Sequence, residues 1–211
     1  MQKLNITITT TESLLGSANA NPEVYREFIA SKSPSAEAAR EEIESLPVET
    51  QMEKATTVFP RDEKGIFLWD YQLRGFLKEA IGVACELGEE VSKPLTKWTY
   101  KRAVDSLVFV NPRRIYAYRD GSIIKVPDSS NTRPLRAATM QGDRVALASS
   151  EQLDAGVTFS AEIAWLSGTN SKSKIAINED MITWALNYGA MKGLGQWRGG
   201  GFGRFKWEAA K

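Results

Sequence analysis

The stretch from 193 to 207 reads GLGQWRGGGFGRFKW and contains six of the chain's sixteen glycines. Glycine lets the backbone adopt positive φ and approach a ligand closely, at a cost in conformational entropy. Aromatic and arginine side chains alternate with these glycines, and both kinds of side chain are typical of surfaces that bind a nucleotide chain. We call residues 193–204 the glycine-rich loop and expect it to hold an anionic ligand.

The elements on either side of the loop show where it belongs in a fold. Asn178 is expected to cap a helix over 179–191, whose apolar residues recur on one face. Residues 202–207 alternate as a closing strand, in which Phe205 and Trp207 are expected to face the core. The loop therefore joins a helix to a strand, whereas a dinucleotide-binding fingerprint follows a strand and opens a helix.

The rest of the chain completes a βαββαβ order. Alternating residues predict strands over 2–10 and 157–166, and a strand-like run covers 106–110. An amphipathic helix is predicted over 71–87, with Asp70 as its N-cap. These elements predict an α+β fold of the ferredoxin-like (RRM-like) kind, with helices on one face of an antiparallel sheet, in a single domain over 1–211.

Two segments are added to this core. Residues 11–65 are poor in large apolar side chains and carry eleven acids against six bases. They predict an acidic insertion with two short helices that contributes no core element. Residues 112–150 predict a basic region of two β-hairpins, the first with Asp120-Gly121 at its turn and strands over 115–118 and 123–126. The strands of the second hairpin are expected over 134–140 and 145–148.

The composition narrows the chemistry. The chain has no histidine and one cysteine, Cys85. It therefore has no Ser-His-Asp or Cys-His nucleophile, no histidine-bound metal and no plausible structural zinc site. We expect no cofactor and no metal site. A lone cysteine and the absence of a signal-like N-terminus or a membrane-length apolar run predict a cytoplasmic protein.

Charge is unevenly distributed along the sequence. The net charge is only +1, but residues 92–144 carry eleven bases against four acids, and residues 192–207 carry four bases and no acid. Such asymmetry is typical of a protein whose basic surface binds a polyanion while its acidic part faces elsewhere. Ordinary solvated charge is the alternative.

The loop and the start of the first helix together resemble the RAMP superfamily, the RNA-binding subunits of CRISPR effector complexes and their relatives. The RAMP glycine-rich loop lies between the second helix and the last strand, as 193–203 does here. The run 66–78, IFLWDYQLRGFLK, is similar to the Ser-Leu-Lys-Gly or Leu-Arg-Gly motifs at the first helix of RAMP backbone subunits. The resemblance implies RNA binding and side-by-side assembly along a strand. Since RAMP endoribonucleases that use an imidazole need histidine, it implies binding more than cleavage.

Candidate contacts to nucleic acid come from three regions. The glycine-rich loop would place backbone N–H groups and guanidinium groups against phosphates, with aromatic rings against bases, through Gly193, Gly195, Trp197, Arg198, Gly199, Gly200, Gly201, Phe202 and Arg204. The first helix would add Arg74 and Lys78. The hairpin region would add Arg113, Arg114, Arg133 and Arg136, with Met140 as a possible wedge at the second tip.

Each group also has a purely structural interpretation. The glycines could simply allow close packing of helix and strand, and the basic residues of the helix could pair with nearby acids. A second basic and aromatic cluster, at Lys97, Trp98, Tyr100, Lys101 and Arg102, fits an ordinary surface helix equally well.

Three functions remain open from the sequence. The first is a non-catalytic protein that binds single-stranded RNA or, less favoured, DNA, and assembles along it as a homo-oligomer or as a subunit of a ribonucleoprotein complex. The second is a structural or interaction protein of a virus or mobile element, or an inhibitor resembling a CRISPR subunit. The third is a magnesium-dependent nuclease using carboxylates such as Asp62, Asp70 or Asp105.

Overall fold

The computed structural model describes residues 1–19, 56–139, 142–167 and 175–210, with the backbone alone for 134–139 and 142–147. The described helices are α1 (Asp70–Leu87), α2 (Tyr100–Leu107) and α3 (Glu179–Lys192). The described strands, in chain order, are β1 (Gln2–Thr10), β2 (Leu14–Leu15), β3 (Ala18–Asn19), β4 (Thr56–Val58), β5 (Phe67–Trp69), β6 (Val108–Asn111), β7 (Arg114–Tyr116), β8 (Tyr118–Arg119), β9 (Ser122–Ile123), β10 (Ser129–Thr139), β11 (Gly142–Leu153), β12 (Thr158–Trp165) and β13 (Phe205–Ala209).

The central sheet contains β13, β1, β12 and β6 as neighbours in that order, and every pair is antiparallel. Helix α1 lies between β1 and β6 in the chain, and α3 lies between β12 and β13. The element order is therefore βαββαβ, the connectivity of ferredoxin-like folds. The α+β class that the sequence predicted is confirmed. The short hairpin β8–β9 extends the sheet beyond β12.

The core lies between one face of this sheet and the helices. Strand residues alternate between buried and exposed positions, as the period of two requires, so that Ile6 and Ile8 of β1 are buried while Asn5 is exposed. The buried side chains that meet there include Leu73, Phe76, Leu77, Phe159, Ile163, Met181, Ile182, Leu186 and Phe205. As expected, Phe205 of β13 faces this core, and Trp207 packs against it half-buried.

A second sheet, β10–β11–β4–β3 with β2 on β11, lies outside the βαββαβ core. The prediction that 11–65 contributes no core element is wrong at both ends of that segment. Leu14 of β2 and Phe59, the residue after β4, are 0% and 1% exposed and belong to the core. Strands β2 and β4 both pair with β11, so the ends of the segment are built into the fold. The helices predicted in the insertion fall within 20–55, outside the described residues.

Both long helices have identifiable ends. The backbone N–H of Trp69 donates to Oε1 of Gln72 at 2.8 Å, so Trp69 is the N-cap of α1 and Asp70 is its first residue. The helix therefore begins one position earlier than predicted. Gly88 ends α1 in the left-handed conformation. Asn178 caps α3 as predicted, with Oδ1 accepting from the N–H of Met181 at 2.8 Å.

The two hairpins differ from their predicted extents. The strand predicted over 115–118 is divided into β7 and β8. Strand β7 pairs with β5, which is fully buried and whose backbone groups need hydrogen-bond partners. Only β8 pairs with β9. The β10–β11 hairpin is longer than predicted. The outer parts of both strands are polar, so they pair in the structure but show no alternation of apolar residues in the sequence. Strand β13 begins at Phe205 and not at Phe202, because Gly203 has a φ of 72° and interrupts extended backbone.

Candidate nucleic-acid interface

The glycine-rich loop is closed at its base by backbone contacts. The N–H of Leu194 donates to the carbonyl of Gly203 at 2.8 Å, and the N–H of Gly203 donates to the carbonyl of Ser13 at 2.8 Å. A Cβ on Gly203 would lie 2.0 Å from the carbonyl oxygen of Leu194, and one on Gly193 would lie 2.5 Å from that of Phe202. Both glycines have positive φ, so the base of the loop requires them for its own folding.

The glycines of the loop therefore fall into two groups. Gly195 belongs with the base, since a Cβ there would lie 2.8 Å from the carbonyl oxygen of Leu15. Gly199 has no atom within 4 Å of its Cβ position, and Gly201 has only the guanidinium of Arg204 at 3.9 Å. No packing in the described structure requires a glycine at 199. At the tip, Gly201 has a φ of 91° and a Cβ on Gly200 would meet the Trp197 ring, so the structural interpretation leaves only Gly199 of the tip unexplained.

The tip lines a groove with a volume of about 680 Å³. One wall is the loop, and the other comes from β10, β11 and the residues after β1. The lining residues are Glu12, Ser13, Asn131, Gln152, Gly199, Gly200, Gly201, Phe202 and Arg204. Glu12, Ser13, Asn131 and Gln152 were not predicted, since polar residues on strands and turns show no pattern in a single sequence.

Arg204 is the cation of this groove. Its side chain is exposed, and it forms no ion pair with any residue that the structure describes. Its backbone is fixed, because its carbonyl accepts from the N–H of Thr11 at 2.8 Å. An unpaired guanidinium beside open glycine backbone can receive a phosphate without first breaking an ion pair.

An aromatic cluster stands beside the groove. The rings of Trp197 and Phe202 stack with centroids 5.0 Å apart, and a Cβ on Gly200 would lie 2.7 Å from the Trp197 ring. The Arg133 guanidinium lies 4.7 Å from the centroid of the same ring. Trp197 thus packs against protein on several sides and is 44% exposed. The Trp197 ring is therefore partly covered by Phe202 and Arg133, which leaves less of it to stack on a base.

Gln196 links the loop to the second sheet. Its Oε1 accepts from Oγ of Ser150 and Oγ1 of Thr57, each at 3.1 Å, and from Nη2 of Arg133 at 3.4 Å. Since Ser150 is buried, these bonds fix the loop against β11 and β4. Arg133 therefore lies beside the glycine-rich loop, and its contacts with Gln196 and Trp197 help to hold the loop. Arg136 lies on β10, but its side chain and Met140 are outside the described part of the structure.

Arg198 points away from the groove, toward α1. Its Nη2 lies 2.7 Å from Oε2 of Glu79, and Nζ of Lys192 lies 3.5 Å from the other oxygen of that carboxylate. Arg198 lines a separate small pocket of about 200 Å³ beside Gly75 and Gly195. Its charge is therefore engaged by Glu79.

The two basic residues predicted on the first helix lie on α1, on the same face. Lys78 pairs with Asp105 of α2 at 2.7 Å. Burial raises the pKa of the Asp70 carboxyl, and the charges of Arg113 and Arg74 oppose that rise. Arg74 thus lies near an acid of its own helix, and neither residue lines the groove.

Arg113 and Arg114 are held within the protein. The Arg113 guanidinium lies 4.9 Å from the ring centroid of Trp69 and 3.6 Å from Asp70. Arg114 Nη1 donates to Oδ2 of Asp62 at 2.5 Å, and the Tyr116 hydroxyl donates to the same oxygen at 2.7 Å. The structure places these arginines beside β5 and α1, away from the glycine-rich loop.

The Asp62 carboxylate is held by hydrogen bonds within the protein. Its other oxygen accepts from the backbone N–H groups of Lys64 and Gly65 at 2.9 and 3.2 Å. Burial alone would raise the pKa of the Asp62 carboxyl, but the hydrogen bonds from Tyr116, Gly65, Lys64 and Arg114 outweigh it and lower the pKa. Both oxygens are occupied by donors, which leaves this carboxylate poorly suited to bind magnesium. Among the described residues, no group of three or more acidic or cysteine side chains is placed to hold a metal ion.

No family model matches the sequence, and no curated protein matches it. Among solved structures, a chain of one named "Type IV-B CRISPR Complex" is similar with a TM-score of 0.44 and 12% sequence identity, over 99% of this chain and 90% of that chain. Within the described ranges, none of the helices has the length and apolar character that crossing a membrane requires.

Proposed function

We propose that this protein binds single-stranded nucleic acid along the groove at the tip of the glycine-rich loop. The observation that carries the proposal is the exposed guanidinium of Arg204, which forms no ion pair with the described residues, beside the open backbone at Gly199 and Gly201. A phosphate can approach such backbone closely, and the guanidinium supplies two parallel donors to it. The groove has polar side chains at Ser13 and Asn131 that can bind sugar or phosphate oxygens without reading bases.

RNA is the favoured ligand. Glu12 lines the same groove, and its carboxylate is an acceptor of hydrogen bonds. The 2′-hydroxyl of RNA is a donor that DNA lacks, so Glu12 offers RNA a partner that DNA cannot use. The resemblance of the loop and the first helix to the RAMP superfamily favours RNA as well.

The binding is proposed to be non-catalytic. The chain has no histidine, and the carboxylates of Asp62 and Asp105 are engaged by neighbouring donors. From the RAMP resemblance we further propose that several copies assemble side by side along a strand, as a subunit of a CRISPR-effector-like ribonucleoprotein. A protein with a purely structural role would show no dependence of assembly on nucleic acid.

The test is the binding of fluorescein-labelled oligouridylate to Arg204→Ala, measured by fluorescence anisotropy at several salt concentrations. Loss of one phosphate contact should weaken binding and lower the slope of log affinity against log salt by about 0.7. Lys206→Ala is the matched control. It removes the same charge two residues away, on the sheet face opposite the core, and should leave the slope unchanged.

Two results would contradict the proposal. The first is the absence of salt-sensitive binding to both RNA and DNA strands by the unmodified protein. The second is an equal loss of affinity in the Arg204 and Lys206 variants, which would indicate a general charge effect and no specific groove contact.

A further inference from the structure

The most exposed large apolar side chain of the described structure is Trp98, which is 82% exposed. A turn holds it in place. The N–H of Thr96 donates to Oγ1 of Thr99 at 2.9 Å, the N–H of Trp98 donates to Oγ1 of Thr96 at 3.3 Å, and the N–H of Thr99 donates to the carbonyl of Thr96 at 3.0 Å. The indole is therefore presented to solvent by an ordered turn.

Such an exposed indole is unusual, because aromatic side chains gain more from burial than most others do. The neighbouring Tyr100 shows the contrast. Its ring packs on α1, where a Cβ on Gly82 would lie 2.7 Å from it, and it is half-buried against the core. One aromatic residue anchors the segment, and the other remains free to contact a partner.

The surroundings of Trp98 are strongly basic. Residues 92–104 contain four bases and no acid. Lys93 pairs with Glu90, but Lys97, Lys101 and Arg102 are exposed and form no ion pair with the described residues. The amine of Lys97 lies 5.1 Å from the centroid of the Trp98 ring. The amine of Lys101 lies 5.9 Å from the centroid of the Tyr100 ring. An exposed flat ring beside several exposed cations is what a single-stranded nucleic acid engages.

The cluster is separate from the groove. Lys78 of α1 contacts Asp105 of α2, and α2 is the helix that follows Trp98. Glu79, the residue after Lys78 on α1, contacts Arg198 of the glycine-rich loop. Successive residues of a helix point about 100° apart, so α2 and the loop lie on different sides of α1. None of the residues that line the groove comes from 92–104.

We propose that Trp98 forms a second contact for single-stranded nucleic acid, in which the indole stacks on a base and the exposed cations of Lys97, Lys101 and Arg102 bind adjacent phosphates. This proposal rests on the proposed function, because the same strand would run from the groove across α1 to this cluster. Nucleic acid is favoured over an acidic protein segment, since the latter would satisfy the cations but leave the indole without a flat partner.

The experiment compares Trp98→Ala with the unmodified protein on oligouridylates of increasing length. On strands long enough to span both contacts, loss of the stacking should weaken binding about tenfold, equivalent to about 1.4 kcal/mol. Strands that fill only the groove should bind both proteins equally. Trp98→Phe should retain part of the affinity, and quenching of indole fluorescence by long strands should be smaller in this variant.

Leu87→Ala is the matched control, because Leu87 is also an exposed apolar residue, at 68%. The Leu87→Ala variant should bind oligouridylates of every length with the affinity of the unmodified protein. Unchanged affinity of Trp98→Ala on long strands would overturn the inference, as would polyglutamate binding as tightly as oligouridylate in a Trp98-dependent manner. If Arg204→Ala still weakens binding in those cases, the proposed function survives and only the second contact is rejected.

Discussion

Gly203 and Gly199 lie four residues apart in one loop but meet opposite surroundings. Gly203 is buried, has a φ of 72° and lies against the backbone of Leu194. Gly199 has open space where a side chain would be. The first position is required for the loop to form, and the second leaves room for a ligand.

This difference predicts different effects of alanine at the two positions. Gly203→Ala should lower the free energy of unfolding by about 3 kcal/mol, since the left-handed backbone disfavours a Cβ and that atom would clash with a carbonyl oxygen. Gly199→Ala should change it by less than about 0.5 kcal/mol. Urea denaturation followed by circular dichroism measures both. Equal stability of the two variants would show that the loop does not close at Gly203.

The sequence predicted the loop, but not this division among its residues. Glycine content and the flanking helix and strand were visible in a local pattern. Which glycine meets Leu194 or Leu15 depends on backbone that is distant in sequence, and no local periodicity encodes it. For the same reason Arg198 and Arg204 looked equivalent, although one pairs with Glu79 of α1 and the other faces the groove.

At the scale of elements, Asp128 connects the two hairpins of the basic region. Its two oxygens accept from the Arg119 guanidinium, each at 2.8 Å, and Oδ2 also accepts from the N–H of Asp154. The carboxylate thus joins β8 to the start of β10 and the end of β11. The Arg119 guanidinium lowers the pKa of Asp128, against the opposing effect of burial.

The direction of that shift predicts a pH dependence. Because the pKa is lower in the folded than in the unfolded protein, the stabilisation is complete above about pH 4 and is lost as the pH falls through the folded pKa. Asp128→Asn should therefore cost about 1 kcal/mol at neutral pH and show a shallower loss of stability in acid. Urea denaturation between pH 7 and the acid limit measures this.

The partner residue provides the control for this prediction. Arg119→Ala should destabilise the protein to a similar extent, and the double variant should be little worse than either single one, because all three remove the ion pair between Asp128 and Arg119. Additive losses would mean that Asp128 and Arg119 act independently, and would reject the link between the hairpins.

Elements were predictable where their signals were local. The Asn178 cap, the Gly88 stop and the alternation of β1 all appear as predicted. Pairing across long sequence distances was not predictable, as β7 joining β5 instead of its expected hairpin partner shows. The buried ends of the 11–65 segment were missed because their few apolar residues are isolated in a polar stretch.

At the scale of the whole molecule, two sheets are joined where the proposed ligand binds. Gln196 fixes the glycine-rich loop of the βαββαβ core to Ser150 of β11, so both walls of the groove are held together. A groove with fixed walls does not have to order itself when it binds, which favours affinity.

Two segments of opposite net charge indicate how copies could assemble on one strand. Residues 11–65 carry a net charge of −5 and residues 92–144 a net charge of +7. Segments of opposite charge on successive copies attract each other head to tail, and such contacts continue in an open array along a linear ligand. This arrangement would favour side-by-side copies over a closed dimer.

Sedimentation velocity with oligouridylates of increasing length tests this arrangement. The number of bound copies should rise stepwise with strand length, and raised salt should reduce it, because it screens both the strand contacts and the contacts between copies. Arg204→Ala should form shorter arrays at the same concentration. One copy per strand at every length would contradict side-by-side assembly while leaving binding intact. Equal association without any oligonucleotide would instead favour a structural protein whose assembly needs no nucleic acid.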